Sequence, residues 1–212
     1  MLPPRSPFAR SLAAAALVLL ASVASVLAVR GARQPYAPAA PAYRQKGPNG
    51  AAVTVVEFSD FQCPACRFGV ASMKDLLALY GKDLRFVFKH YPLTRAHSLA
   101  KTAAMAAECA GRQGRFWEFH DLLYDKQAQW AKAEGGARLQ DYARDLGLDR
   151  AAFADCLKDP AVSALVERDM KEGDEHWVVS TPTFFINGRR FSGVRQLRDR
   201  GVIWIDKLLK KR

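Results

Sequence analysis

The stretch Ala52-Val-Thr-Val-Val-Glu-Phe-Ser-Asp-Phe-Gln-Cys-Pro-Ala-Cys66 runs from a β-branched, apolar segment straight into a Cys-x-x-Cys. Its first seven residues, 52–58, predict a buried strand. A helix is expected from about Cys63 to Tyr80, stopped by Gly81. The thiols therefore fall where a strand ends and a helix begins. Unpaired N–H groups and the positive end of the helix dipole stabilise a thiolate at such a place. Pro64 fits the first turn because it lacks an N–H where none is needed. Cys63 is the expected exposed nucleophile, with a lowered pKa, and Cys66, one turn deeper, the resolving thiol. A structural disulfide and half of a zinc site are the competing readings. Zinc needs two more ligands, and only single Cys109 and Cys156 and scattered His90, His97, His120 and His176 are on offer. No metal site is expected.

Working outward, residues 84–90 alternate apolar and polar and read as the next strand, which completes a βαβ unit with parallel pairing. Residues 95–178 turn helical: 96–110, rich in alanine, then 115–127, 138–146, 149–157 with Asp149 as N-cap, and 161–178 behind Pro160. Two short strands follow, 183–187 and 190–192, joined by the hairpin signal Asn187-Gly188. A last helix is expected over 195–211, its apolar side made of Leu197, Ile203, Trp204, Leu208 and Leu209. The order βαβ, helices, ββα predicts an α/β fold: a central mixed sheet with helices on its faces and an all-helical insertion.

The formal charge of +11 is unevenly spread. Residues 51–188 hold 17 basic against 19 acidic residues, and the excess sits at the two ends. No groove-reading motif accompanies it, so nucleic acid is not an expected partner. Arg5 and Arg10 precede an uncharged run at 11–29 with small residues at Val26 and Ala28. That is the pattern of a secretory signal peptide, and a run of about 19 residues also approaches the length of a membrane anchor. Residues 1–30 are read as signal peptide or anchor, and the body as exported. Residues 31–50, with Pro35, Pro38, Pro41 and Pro48, read as a tether that cannot build a core. In an oxidising compartment paired thiols mean disulfides more often than metal sites. Glu57, an acid in an apolar strand, needs a partner if buried, and Lys89 in the neighbouring strand is the candidate; the alternative is a Glu57 that faces solvent.

The body resembles the DsbA-like branch of the thioredoxin superfamily, over nearly all of 51–212. The resemblance rests on Glu57-Phe-Ser-Asp-Phe-Gln-Cys-Pro-Ala-Cys66, Phe86-Val-Phe-Lys-His-Tyr-Pro92, Phe116-Trp-Glu-Phe-His120 and Ser180-Thr-Pro-Thr-Phe-Phe-Ile-Asn-Gly188. It implies a thioredoxin fold split into 51–94 and 179–212, with a helical domain inserted at 95–178. It implies a cis bond before Pro182 beside the cysteines, and a Thr181 that lends backbone groups to an extended substrate. Pro64, Ala65, Thr181 and Pro182 are thus the candidate substrate-binding residues. It also implies that Glu57 and Lys89 serve proton transfer to the inner cysteine. One departure stands out: the family pattern carries His where this chain has Ala65, which predicts a less acidic Cys63 and a less oxidising disulfide. For Cys109 and Cys156 the residues alone allow two buried free thiols. Export favours pairing, and the resemblance adds that some members bridge their helical domain.

The expected activity is extracytoplasmic, in the periplasm or its equivalent: donation of the Cys63–Cys66 disulfide to exported proteins with cysteines. No cofactor beyond that disulfide is expected. The expected partners are those substrates and a membrane redox partner, and the chain is expected to be a monomer. A reductase or isomerase of the same fold, or a chaperone-like peptide-binding module, are the alternatives.

Overall fold

The computed structural model describes residues 38–132 and 136–210, with Ser22 alone before them. The readings of 1–30 lie outside the described residues, Ser22 apart. Among the described residues no helix is long and apolar enough to cross a membrane.

Strand β2 (Val53–Ser59) is the middle of the sheet, and all but one of its seven residues are buried, as the apolar run demands. Among the described residues the sheet has five strands in the order β1-β3-β2-β4-β5. They are β1 (Gln45–Lys46), β2, β3 (Leu84–His90), β4 (Thr183–Ile186) and β5 (Arg189–Ser192). Of the described strands only β2 and β3 run parallel, in the register Val55↔Phe86, Glu57↔Phe88 and Phe58↔Lys89. On the other side β4 meets β2 antiparallel, with Val55 opposite Ile186 and Glu57 opposite Phe184. The β4–β5 hairpin turns on Asn187 and Gly188, both at positive φ (44° and 81°), the conformation that a tight two-residue hairpin requires.

Helix α1 (Pro64–Tyr80) crosses from β2 to β3. The insertion holds α2 (Ala100–Arg112), α3 (Phe116–Asp125), the short α4 (Gln127–Trp130), α5 (Gly136–Asp145), α6 (Arg150–Cys156) and α7 (Pro160–Glu175). Asp149 caps α6 by accepting from the Ala152 N–H at 2.8 Å. Helix α2 buries Ala103, Ala104, Ala106, Ala107 and Ala110, whose small side chains let its neighbours approach closely. Cys109 of α2 and Cys156 at the end of α6 are joined in a disulfide with Cα atoms 5.7 Å apart.

Three expectations need correction. The alanine-rich helix begins at Ala100 rather than 96, because the preceding loop is tied elsewhere: Leu93 N–H and the His97 ring bond to Asp60, and Leu99 N–H bonds to Gln62. The last helix starts at Gly193 as α8 (Gly193–Gln196) and passes through a π-helical turn, Leu197–Gly201, into α9 (Val202–Leu209). Leu197 and Ile205 are fully buried, and Trp204, Leu208 and Leu209 pack half-buried against the core as expected, whereas Ile203 is 66% exposed. The tether reading of 31–50 fails for its second half. Ala42–Arg44 forms a 3₁₀ turn, β1 pairs with β3, and Arg44 is fully buried. Its guanidinium meets Glu108 at 3.2 Å and pairs with Asp169. Composition argues against a core built from this segment, but an edge strand and one arginine held by two buried carboxylates need no apolar run.

Candidate active site

Cys63 occupies the N-cap of α1 with an extended backbone (φ −71°, ψ 121°), and Pro64 opens the helix behind it. Asp60 carbonyl accepts the Cys63 N–H at 3.1 Å, which sets the turn between strand and helix. The loop is held from the insertion as well. Gln127 Nε2 donates to the carbonyls of Phe61 (2.8 Å) and Cys63 (3.0 Å), and Gln62 reaches Ala131 O at 3.1 Å. Asp60 accepts from Gln62 N, Leu93 N and His97 Nδ1 at 2.7–2.8 Å. The insertion therefore positions the cysteines rather than merely flanking them.

Both Cys63 and Cys66 are free thiols here. Cys63 is 8% exposed and Cys66 not at all, so the outer thiol is less open than the sequence suggested but is the only one of the pair that solvent reaches. The Cys63 thiol points at the Thr181 carbonyl, 3.5 Å away, across a cis Thr181–Pro182 bond. The hydrogen bond from the Cys66 thiol, against the opposing effect of burial, brings Cys63 down to about 5, helped by Thr181 and the N–H groups of Cys66 and Ala65. An acidic Cys63 therefore arises without a histidine at position 65. Burial drives Cys66 the other way, well above the ordinary thiol range, and the neighbouring Cys63 and Glu57 add to it. One thiol is poised as a thiolate, the other as a proton-bearing leaving group.

Beneath Cys66 lies a polar chain that the sequence reading did not assemble. The Ser59 hydroxyl bonds to Glu57 Oε1 at 2.7 Å and to Tyr124 Oη at 2.9 Å. Glu57 is 3% exposed, and burial lifts it to about 7 although the Ser59 hydroxyl favours its charged form. Gly69 of α1 makes room for it: a Cβ there would stand 3.3 Å from Glu57 Oε1 and 3.9 Å from Pro182. The acid also lines a narrow crevice of about 10 Å³, shared with Lys46, Lys74, Trp117, His120 and Asp121. Residues 57 and 59 share a strand face by the period of two, so Ser59 had a signal; Tyr124 and Gln127 had none.

Lys89 is not part of this chain of groups. Its strand partner is Phe58, and Glu57's is Phe88, so the acid and the lysine leave the sheet on opposite faces. Lys89 is fully buried against Asp169 (3.2 Å) and Glu172 (2.7 Å) of α7. The expected Glu57–Lys89 pair does not form. The solvent-facing alternative for Glu57 fails too, since the carboxyl is buried. Among the described residues no group of His, Cys, Asp or Glu side chains could hold a metal ion.

The profile of the Thioredoxin family matches residues 41–202, from the first strand to the last helix. The chain belongs to the thioredoxin family. Within it, the chain has the fold of the DsbA-like proteins. It is similar to a thioredoxin-like oxidoreductase from Silicibacter pomeroyi (25% identity, TM-score 0.67), over 79% of this chain and 92% of that one. It is similar also to Pseudomonas aeruginosa DsbA2 (25% identity, TM-score 0.64), over 81% of this chain and 97% of that one. A curated relative is the Na(+)/H(+) antiporter NhaA 1 of Salinispora arenicola, 43% identical over 148 residues. That match takes in 70% of this thioredoxin-family chain but only 22% of the antiporter, so the chain spans about a fifth of such relatives' length.

Proposed function

We propose that this protein is an exported dithiol oxidase that donates the Cys63–Cys66 disulfide to polypeptides with cysteines. The observation that carries the reading is the asymmetry of the pair: Cys63 held down to about 5 beside Thr181, Cys66 pushed up beneath it. In the forward direction a substrate thiolate attacks Cys63 Sγ, and the Cys63–Cys66 bond breaks. Cys66 leaves with the electron pair and takes a proton, for which Glu57 and Ser59 are the nearest relay. A second substrate thiolate then attacks the substrate sulfur of the mixed disulfide, and Cys63 leaves as the stabilised thiolate. A stabilised thiolate is a good leaving group and favours the reduced enzyme, which makes the disulfide oxidising. The two electrons stay on the dithiol until a membrane redox partner removes them, so no further cofactor enters.

The Thr181 carbonyl and the Ala65 N–H lie beside the outer sulfur, and Pro64, Ala65, Thr181 and Pro182 serve as the substrate contacts. Phe68, Trp177 and Val179, all at least 69% exposed, supply an apolar rim near them in the chain, which favours an unfolded polypeptide over a small thiol. Export is supported by the Arg-flanked uncharged run at 11–29 and by the Cys109–Cys156 disulfide, which persists in oxidising compartments. A monomer suffices, since every residue of the relay comes from one chain. Equilibration of the Cys63–Cys66 couple with glutathione tests the direction. A potential well above thioredoxin's, about −270 mV, supports the oxidase. A potential at or below that value replaces it with a reductase.

A further inference from the structure

The last helix carries a stripe that the redox chemistry leaves unused. Arg200, Ile203, Trp204 and Lys207 follow the spacing i, i+3, i+4, i+7 and line one cleft of about 270 Å³, closed on the sheet side by Arg189 of β5. The helix is anchored by its other side, where Leu197, Gly201 and Ile205 are buried. The Arg189 guanidinium lies 4.6 Å from the centre of the Trp204 ring, and Lys207 Nζ lies 5.7 Å from it. Among the described residues no carboxylate pairs with Arg189, Arg200 or Lys207, and neither acid of the segment, Asp199 or Asp206, lines the cleft. Asp206 is engaged by the Tyr80 hydroxyl at 2.8 Å.

We propose that this cleft docks on anionic phospholipid headgroups and holds the body of the protein against a membrane surface. Three uncompensated cations match lipid phosphates. Long basic side chains reach phosphate while their stems lie along apolar surface, here the half-buried face of Trp204. The exposed Ile203 decides between occupants. A free phosphate or a nucleic acid would satisfy the cations yet leave that side chain in water, whereas the acyl boundary of a bilayer covers it.

The test uses the full chain, co-sedimented with phosphatidylglycerol vesicles and with phosphatidylcholine vesicles at low and high salt. Each cation near an anionic surface contributes on the order of a few-fold, so a preference of at least about tenfold for phosphatidylglycerol is expected, collapsing in high salt. The triple variant Arg189→Glu, Arg200→Glu, Lys207→Glu is expected to lose the preference while keeping its phosphatidylcholine binding and its rate of Cys63 alkylation. Ile203→Ser, a change at an exposed position that the fold tolerates, is expected to weaken phosphatidylglycerol binding by itself. Equal partition onto both vesicles overturns the proposal. So does a preference that survives the triple variant, or a single-stranded oligonucleotide that displaces the protein from phosphatidylglycerol and binds Ile203→Ser as tightly as wild type.

Discussion

The Ser59 hydroxyl lies 2.7 Å from Glu57 Oε1, and both groups act on the inner thiol, Cys66 of α1. A carboxyl lifted to about 7 by burial can both hold and release a proton at neutral pH, and Ser59 is the group that joins it to the sulfur.

Glu57→Gln keeps the shape and an acceptor for Ser59 but cannot move a proton. Thiol–disulfide exchange at neutral pH is expected to slow by about tenfold or more. Stability should change with a definite sign. The folded acid binds a proton up to about pH 7 and the unfolded one only to about 4.5, so wild type loses stability as pH rises through that window. In urea unfolding of the oxidised protein, Glu57→Gln is expected to match wild type at pH 4 and to exceed it at pH 8 by roughly 3 kcal/mol at most. Equal stabilities at both pH values would return Glu57 to an ordinary exposed acid.

Cys63 has the opposite linkage. Its folded pKa, about 5, lies below the unfolded value near 9, so the thiolate stabilises the reduced protein fully above pH 9, and that gain is lost as pH falls through 5. Cys66 stays protonated across this window. The stability of the reduced form relative to the oxidised form is expected to climb between pH 5 and 9, and alkylation of Cys63 to reach half its maximal rate near pH 5. A midpoint above 8 would remove the case for an activated nucleophile.

The two cysteines should trap differently. Cys66→Ser leaves the attacking thiolate without its resolving partner, so mixed disulfides with substrate are expected to accumulate on Cys63. Cys63→Ser is expected to trap none and to be inactive, because the buried Cys66 meets no substrate. Peptide mapping of trapped species after a brief exposure to an oxidised protein substrate reads both outcomes.

The disulfide between Cys109 and Cys156 closes a loop with a sequence separation of 47. Removing it with Cys109→Ala and Cys156→Ala is expected to cost up to about 4 kcal/mol by chain entropy, seen as a lower melting temperature. Cys63 alkylation should be unchanged, since neither residue touches the reactive pair.

Arg44 binds the N-terminal segment to the body. Glu108 is raised by burial, yet His90, Arg44 and Tyr43 together bring it to about 2, so it is an anion in the core. Arg44→Ala leaves Glu108 and Asp169 short of a cation and is expected to destabilise by about 3–5 kcal/mol. Arg44→Met with Glu108→Gln should recover part of that loss, which equilibrium unfolding measures.

Read alone, residues 52–66 determined the strand, the helix start and the reactive thiols, because each signal is local: a β-branched apolar run, a proline at the first helical position, two cysteines one turn apart. The same holds for the hairpin at Asn187-Gly188 and for Asp149 as a cap, where a residue's own φ or side chain does the work. Glu57 was legible as a costly buried acid, but its partner was not. Which face Lys89 takes depends on strand register, a shift of one residue, and register is settled by the summed packing of both faces. Arg44, Tyr124 and Gln127 were invisible for a related reason: their partners lie far along the chain, at Asp169, Ser59 and Cys63. Only the folded insertion brings those pairs together. Local sequence carries conformation and chemistry, while the polar contacts that tune the thiols come from distant segments that meet once the core has closed.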